Sequence, residues 1–284
     1  MTLLGWKLLT SPTPKPGESI IIRLFWRANQ KIDENLHTLL HLYSPSLKHS
    51  WAADAQGTIR IPTKIWDPEK YYIETMSLPI PLDVPPLTFS LAAGLSSSTY
   101  GRLDVTGSDS GLMHLRDIEV APVRPGLLQR VRPATESPAE TSDGMRLQGY
   151  DLASQSDDVT LRLFWETGDG VSNDWITFIH MLDGNGELVA QFDGPPLGGL
   201  LPTSQWHSDA LYIDRREITL PDGLAQGDYN LRVGLYDFAT GERLPLRPRD
   251  AEDKQFEDGQ LLVRLELQSS EEPQDSCYIC KGDH

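Results

Sequence analysis

The sequence predicts an all-β chain: two tandem antiparallel β-sandwich domains, immunoglobulin-like or jelly-roll-like, joined by a Pro-rich linker. Three observations lead there. Apolar residues recur with a period of two, turn residues punctuate the chain at short intervals, and the first half of the pattern returns in the second half. With 23 Gly and 21 Pro in 284 residues, the chain has turn formers to spare and no room for long helices. An apolar content of 39% suffices for packed cores rather than disorder.

The period is clearest at Ile20, Ile22, Leu24 and Trp26, which alternate with Ile21, Arg23, Phe25 and Arg27. Val159, Leu161, Leu163 and Trp165 alternate in the same way with Thr160, Arg162, Phe164 and Glu166. Such alternation marks strands with a core face and a wetter face. Trp175 to Met181 reads as the next strand, with a turn at Asp183-Gly184-Asn185-Gly186 and a hairpin partner over 187–192. Strands follow over 211–220 and 227–236, then a hairpin turn at Ala239-Thr240-Gly241 and a final strand over 258–268. Residues 33–41 suit a turn of helix on local grounds, but the matching segment of the second half reads as strand, and strand is preferred.

Self-similarity sets the domain boundaries. Leu24-Phe25-Trp26 returns as Leu163-Phe164-Trp165, and His41 returns as His180, both 139 residues on. Pro62-Thr63-Lys64-Ile65-Trp66 returns as Pro202-Thr203-Ser204-Gln205-Trp206, and Gly94-Leu95 as Gly234-Leu235, both 140 residues on. The openings Gly5-Trp6-Lys7-Leu8 and Gly149-Tyr150-Asp151-Leu152 lie 144 apart, so copy one carries extra residues in its first loop. The expected units are 1–122 (copy one), a linker over 123–144 that includes Pro125, Pro133 and Pro138, 145–268 (copy two), and a polar tail over 269–284.

Charge narrows the function. Asp and Glu outnumber Lys and Arg by 41 to 25, a net charge of -16. This disfavours nucleic acid and anionic lipid as partners. No run approaches the roughly 18 apolar residues of a membrane span, and Met1 to Lys7 lacks the pattern of a signal peptide. The expectation is a soluble segment that does not itself insert in a membrane: either a cytoplasmic protein or a piece of something larger. The body has no cysteine, so no disulfide framework is expected.

Copy two resembles a module at the C-terminal, extracytoplasmic end of large bacterial membrane glycosyltransferases of the dolichyl-phosphate-mannose type from Chloroflexi-like bacteria. The segments that carry the resemblance are Leu147 to Leu152, Phe178 to Asp183, Asp193-Gly194-Pro195-Pro196-Leu197-Gly198-Gly199, Pro202 to Trp206, and Gly227 to Tyr236. Copy one matches more loosely: it lacks the Gly-Pro-Pro segment and has Ser96-Ser97-Ser98 against Asp237-Phe238-Ala239. The resemblance implies an accessory β-sandwich outside the cytoplasmic membrane or at the cell surface, beside a sugar-transferring membrane domain that is not in this sequence. It carries over no catalytic residue.

Several residues stand out as candidates. Trp66 and Trp206 sit in loop-like segments and could stack the apolar faces of sugar rings. With Asp193 and Tyr212 they form the predicted ligand-binding set. Trp26 and Trp165 read as core. Carboxylates recur between the copies, Asp54 with Asp193 and Glu74 with Asp214, which gives one pair per copy; each could serve a glycosidase only with its two carboxyls roughly 5–10 Å apart in one cleft. Strand-end hydrogen bonding is the simpler expectation. His41 and His180 read as packed histidines, His37 has no counterpart, and Asp183 to Glu187 reads as a hairpin turn rather than a calcium loop. Cys277, Cys280 and His284 have the spacing of three zinc ligands and lack an adjacent fourth. P-loop, G-x-G-x-x-G, G-x-S-x-G and H-E-x-x-H motifs are absent from the sequence.

The expected function is a non-catalytic extracytoplasmic binding or assembly module without a cofactor, its partner a glycan or another protein. A structural spacer or protein-docking subunit is the alternative, and a glycoside-active enzyme stands third.

Overall fold

A computed structural model describes residues 1–44, 50–52, 61–124, 131–155, 158–250 and 252–267. Every sheet in it is antiparallel. The N-terminal half contributes β1 (Thr2–Leu8), β2 (Ser19–Arg27), β3 (Leu36–Tyr43), β4 (Ser50–Ala52), β5 (Tyr71–Pro79), β6 (Thr88–Ser97), β7 (Gly101–Arg102) and β8 (Leu112–Glu119). They form one sheet of order β1-β2-β5 and another of order β4-β3-β6-β7, with β8 also paired to β6. Residues 33–41 hold no helix; β3 begins at Leu36.

The C-terminal half contributes β9 (Thr135–Glu140), β10 (Met145–Gln155), β11 (Asp158–Thr167), β12 (Trp175–Leu182), β13 (Leu188–Gln191), β14 (Leu211–Thr219), β15 (Gly227–Asp237), β16 (Arg243–Leu244), β17 (Arg247–Pro248), β18 (Phe256–Glu257) and β19 (Gln260–Leu267). The orders are β14-β11-β10-β9-β17 and β13-β12-β15-β19-β18, with β16 beside β15. Two readings need correction. The last strand is a hairpin, because Asp258 and Gly259 both take positive φ and turn β18 back into β19. The stretch expected as linker contains β9, which is laced between β10 and β17. Pro138 is tolerated there because the ladder between β9 and β10 shifts register beside it, so no donor is demanded of it.

Registers match between the halves. β1 and β2 slip at Leu3/Gly5, and β10 and β11 slip at Leu147/Gly149. Trp26 faces Tyr72 across β2 and β5, and Trp165 faces Tyr212 across β11 and β14. The alternation in β2 puts Ile20, Ile22, Leu24 and Trp26 into one hydrophobic core, with Leu40, Leu42, Phe89 and Leu91 from the facing sheet. Val159, Leu161, Leu163 and Trp165 enter a second core with Ile179, Met181, Leu231 and Val233. The sheets therefore stack as sandwich layers, each burying its own apolar face.

The halves also touch. Leu211 donates its N–H to the carbonyl of Val123 at 2.8 Å, and the two residues form an isolated antiparallel bridge. Asp83, which is buried, lies 3.9 Å from Arg162 and 3.7 Å from Arg215. Leu87 packs against both cores.

Candidate functional site

The Pro-Thr-x-x-Trp segments form the same buckle twice. Each is one 3₁₀ turn, Thr63–Ile65 and Thr203–Gln205, entered through a proline with φ near -55°. The Thr63 hydroxyl donates to the carbonyl of Glu34 at 2.7 Å and accepts the N–H of Leu36 at 2.9 Å. Thr203 repeats this with Asn173 and Trp175 at 2.6 and 2.8 Å. The indole N–H of Trp66 reaches the carbonyl of Ile61 at 2.8 Å, and that of Trp206 the carbonyl of Leu201 at 3.1 Å. Each ring is then covered by a tyrosine: Trp66 stacks on Tyr72 at 4.1 Å, and Trp206 on Tyr212 at 4.2 Å.

This corrects three of the four predicted ligand contacts. Trp66 is 3% exposed, Trp206 4% and Tyr212 2%, so none offers a face to a sugar. Tyr212 accepts the backbone N–H of His207 at 2.6 Å, and burial pushes its phenol up to about 12. The rings lock a loop onto the core: a π-face that is already stacked has no second use as a platform.

The recurring carboxylates are also internal. Glu74 accepts the Thr38 hydroxyl at 2.6 Å and the Trp26 indole N–H at 3.3 Å, and burial holds its carboxyl above the usual range. Asp214 has no exposed surface. It accepts the N–H of Leu197 at 2.8 Å and pairs with Arg216 at 2.9 Å. Arg216 reaches on to the carbonyl of Gly194 at 2.9 Å. The Gly-Pro-Pro loop is therefore stitched down from below. Leu197 enters the core in the left-handed region at φ 55°, and Gly198 and Gly199, also at positive φ, form the exposed tip. In copy two the pair would be Asp193 with Asp214, but Asp214 is fully buried and bonded to Leu197 and Arg216, which leaves it no place in an open cleft as a glycosidase pair requires. Asp54 lies outside the described residues, as do Cys277, Cys280 and His284.

Asp193 alone of the predicted set faces solvent, on the outer side of the sheet containing β12 and β15. It sits 3.7 Å from His180. Next to this pair, Gly234 lets the Phe178 ring lie flat: a Cβ at Gly234 would stand 2.4 Å from that ring. The Arg243 guanidinium covers the ring at 4.8 Å, with Tyr236 beside it at 6.4 Å. Burial lowers the His180 imidazole pKa against the opposing pull of Asp193, and Arg243 lowers it further. The patch offers hydrogen-bond donors and acceptors on a fixed aromatic floor. A second opening, a cleft of about 460 Å³, lies at one end of the N-terminal half among Lys31, Asp33, Glu34, Tyr100 and Leu103. It contains none of the predicted residues. Among the described residues no group of three His, Cys, Asp or Glu side chains is placed to hold a metal, and no helix is long and apolar enough to cross a membrane.

The sequence reading missed Asp83, Arg162, Arg215, Arg216 and Arg243. Each is a charge on a strand or turn that no motif singles out, and only its partners in the fold give it meaning.

No family model matches the chain, and no curated protein sequence matches it. Solved structures similar to it include a DUF3823 family protein from Bacteroides ovatus, at a TM-score of 0.29 and 13% identity, over 85% of this chain and 94% of that one. The β-glucuronidase of Bacteroides uniformis aligns at a TM-score of 0.26 and 9% identity, over 87% of this chain and 31% of the enzyme. Red sea bream transglutaminase aligns at 0.24 and 10%, over 95% of this chain and 32% of that one. The chain thus spans about a third of the two enzymes. Similarity this low carries no functional argument.

Proposed function

We propose that the chain is a non-catalytic assembly module of two tandem β-sandwich domains, which hold each other in a fixed pose and present their outer faces to a protein partner. The contact between the halves carries this reading. Asp83 is buried between Arg162 and Arg215, and Val123 continues the β14 edge through Leu211. Buried charge with paired partners on opposite units is the mark of an interface rather than of a loose tether. The resemblance of copy two to an accessory sandwich beside a membrane glycosyltransferase domain suits an extracytoplasmic scaffold.

Arg162→Glu combined with Arg215→Glu should separate the units without unfolding them. X-ray scattering would then show a larger radius of gyration at unchanged circular dichroism. An unchanged radius would remove the fixed pose on which the proposal stands.

A second reading, glycan binding, rests on the Asp193, His180 and Arg243 patch with Tyr236 at its rim. On a glycan array the assembly reading expects no retention. Retention that is lost in Asp193→Ala would replace it with carbohydrate recognition.

A further inference from the structure

One face of this molecule is covered in copy two and bare in copy one. On the outer side of β11 and β14, Phe164 lies across from Ile213, and Leu211 follows two residues before it. These side chains point away from the core, yet Ile213 is 5% exposed and Leu211 6%. A turn of copy one and the stretch just after copy one lie along them: Asp83 pairs with Arg215 two residues further along β14, and Val123 bonds Leu211. The same positions of β2 and β5 hold Phe25 across from Ile73, with Tyr71 two residues before it. There Ile73 is 54% exposed and Tyr71 67%. Leu4 on β1 is also an exposed apolar residue.

Two further observations mark this bare face as unfinished. Arg23 stands 139 residues before Arg162, which pairs with Asp83. The Nε of Arg23 is buried and has no hydrogen-bond partner. In addition, β10 is covered on its far edge by β9, whereas among the described residues no strand pairs with the far edge of β1. A row of open backbone groups beside an apolar face is a template for docking.

We infer that this face of copy one takes copy two of a second molecule, so that chains associate head to tail. The inference rests on the assembly reading above. The occupant follows from the repeat. The face of copy two is met by the turn that follows β5 of copy one, Pro81 to Pro86, where Asp83 supplies the carboxylate. The corresponding turn of copy two, Pro221 to Gln226, is exposed except at Leu224 and can meet another molecule. It carries Asp222, exposed and one position before the counterpart of Asp83, as a carboxylate for Arg23, while its Leu224 packs against the core of copy two. Repeating the internal step between molecules uses two different surfaces, so the association is heterologous and grows with concentration instead of stopping at a two-fold dimer.

Sedimentation velocity of the full chain from about 1 μM to about 1 mM tests this across the range of weak interfaces. The weight-average mass should at least roughly double over that range. Ile73→Asp, at an exposed site, should keep the fold and leave a monomer throughout. Arg23→Glu and Asp222→Arg should each abolish association, and the two together in one chain should restore it by exchanging the charges. A monomer at every concentration overturns the inference. So does an oligomer broken by Ile73→Asp but indifferent to Asp222→Arg, which would be a symmetric dimer of bare faces. Neither result touches the pose between the units, which scattering on the Arg162/Arg215 variant reads separately.

Discussion

Glu74 lies opposite Leu24, and Asp214 lies opposite Leu163, so two carboxylates leave the same strand position toward two similar cores. They bond to different things. The longer Glu74 reaches across the sandwich to Thr38 on the facing sheet and to Trp26. Asp214 is one methylene shorter and turns to the loop, holding Leu197 and Arg216. The residues that serve Glu74 have counterparts in Thr177 and Trp165, whose side-chain polar atoms are buried and have no hydrogen-bond partner. In copy one the carboxylate ties sheet to sheet. In copy two it ties sheet to loop, and the cross-sheet polar pair is left over. A fixed architecture thus tolerates rerouted internal bonding, and the rerouting follows the loop that copy one lacks.

The comparison can be broken most forcefully at Asp214. Asp214→Ala leaves Arg216 without its carboxylate and the Leu197 N–H without an acceptor. It should cost about 3–5 kcal/mol in urea unfolding, the range for breaking one side of a buried pair. The buckles should instead behave alike: Tyr72→Phe and Tyr212→Phe each strand one backbone N–H, of Asp67 and His207 respectively. Each should lose about 1–3 kcal/mol by the same measurement, and a large difference would end their equivalence. The threonines should diverge. Thr38→Val removes a bond to Glu74 and should cost about 1–2 kcal/mol, while Thr177→Val removes an unpartnered hydroxyl and should be neutral or slightly stabilising in melting temperature. Glu74→Gln gives an effect that depends on pH. Burial raises the folded pKa of Glu74, so its contribution is complete below the ordinary carboxylate value and is lost as pH rises through the folded one. The melting temperature of the Gln variant should therefore gain on the wild type as pH rises from the ordinary carboxylate range through the raised value; an unchanged difference would mean that Glu74 is not strained by its burial.

Much of the fold was legible because alternation and register are local properties. Ile20 to Trp26 and Val159 to Trp165 announce their faces, and the shared offsets tie the strands of one half to those of the other. The tryptophan loops misled because Pro-Thr-x-x-Trp looks like exposed loop, and burial depends on what lies over the ring. A signal existed: Tyr72 and Tyr212 each follow their tryptophan by six residues. The β9 segment misled because Pro138 reads as a breaker, and only the slipped ladder with β10 makes room for it. Asp83, Arg162 and Arg215 were invisible, since ion pairs between units have no sequence period.

The position of β9 also bears on how this protein can be divided. A fragment cut at residue 145, where the repeat begins, would lose the strand that shields β10 and expose a long edge ready to pair with its neighbours in solution. A fragment that begins near residue 131 takes its own shield along. Expression of the second unit should therefore yield aggregates from the first cut and soluble protein from the other, although the fourteen residues between them look like mere tether.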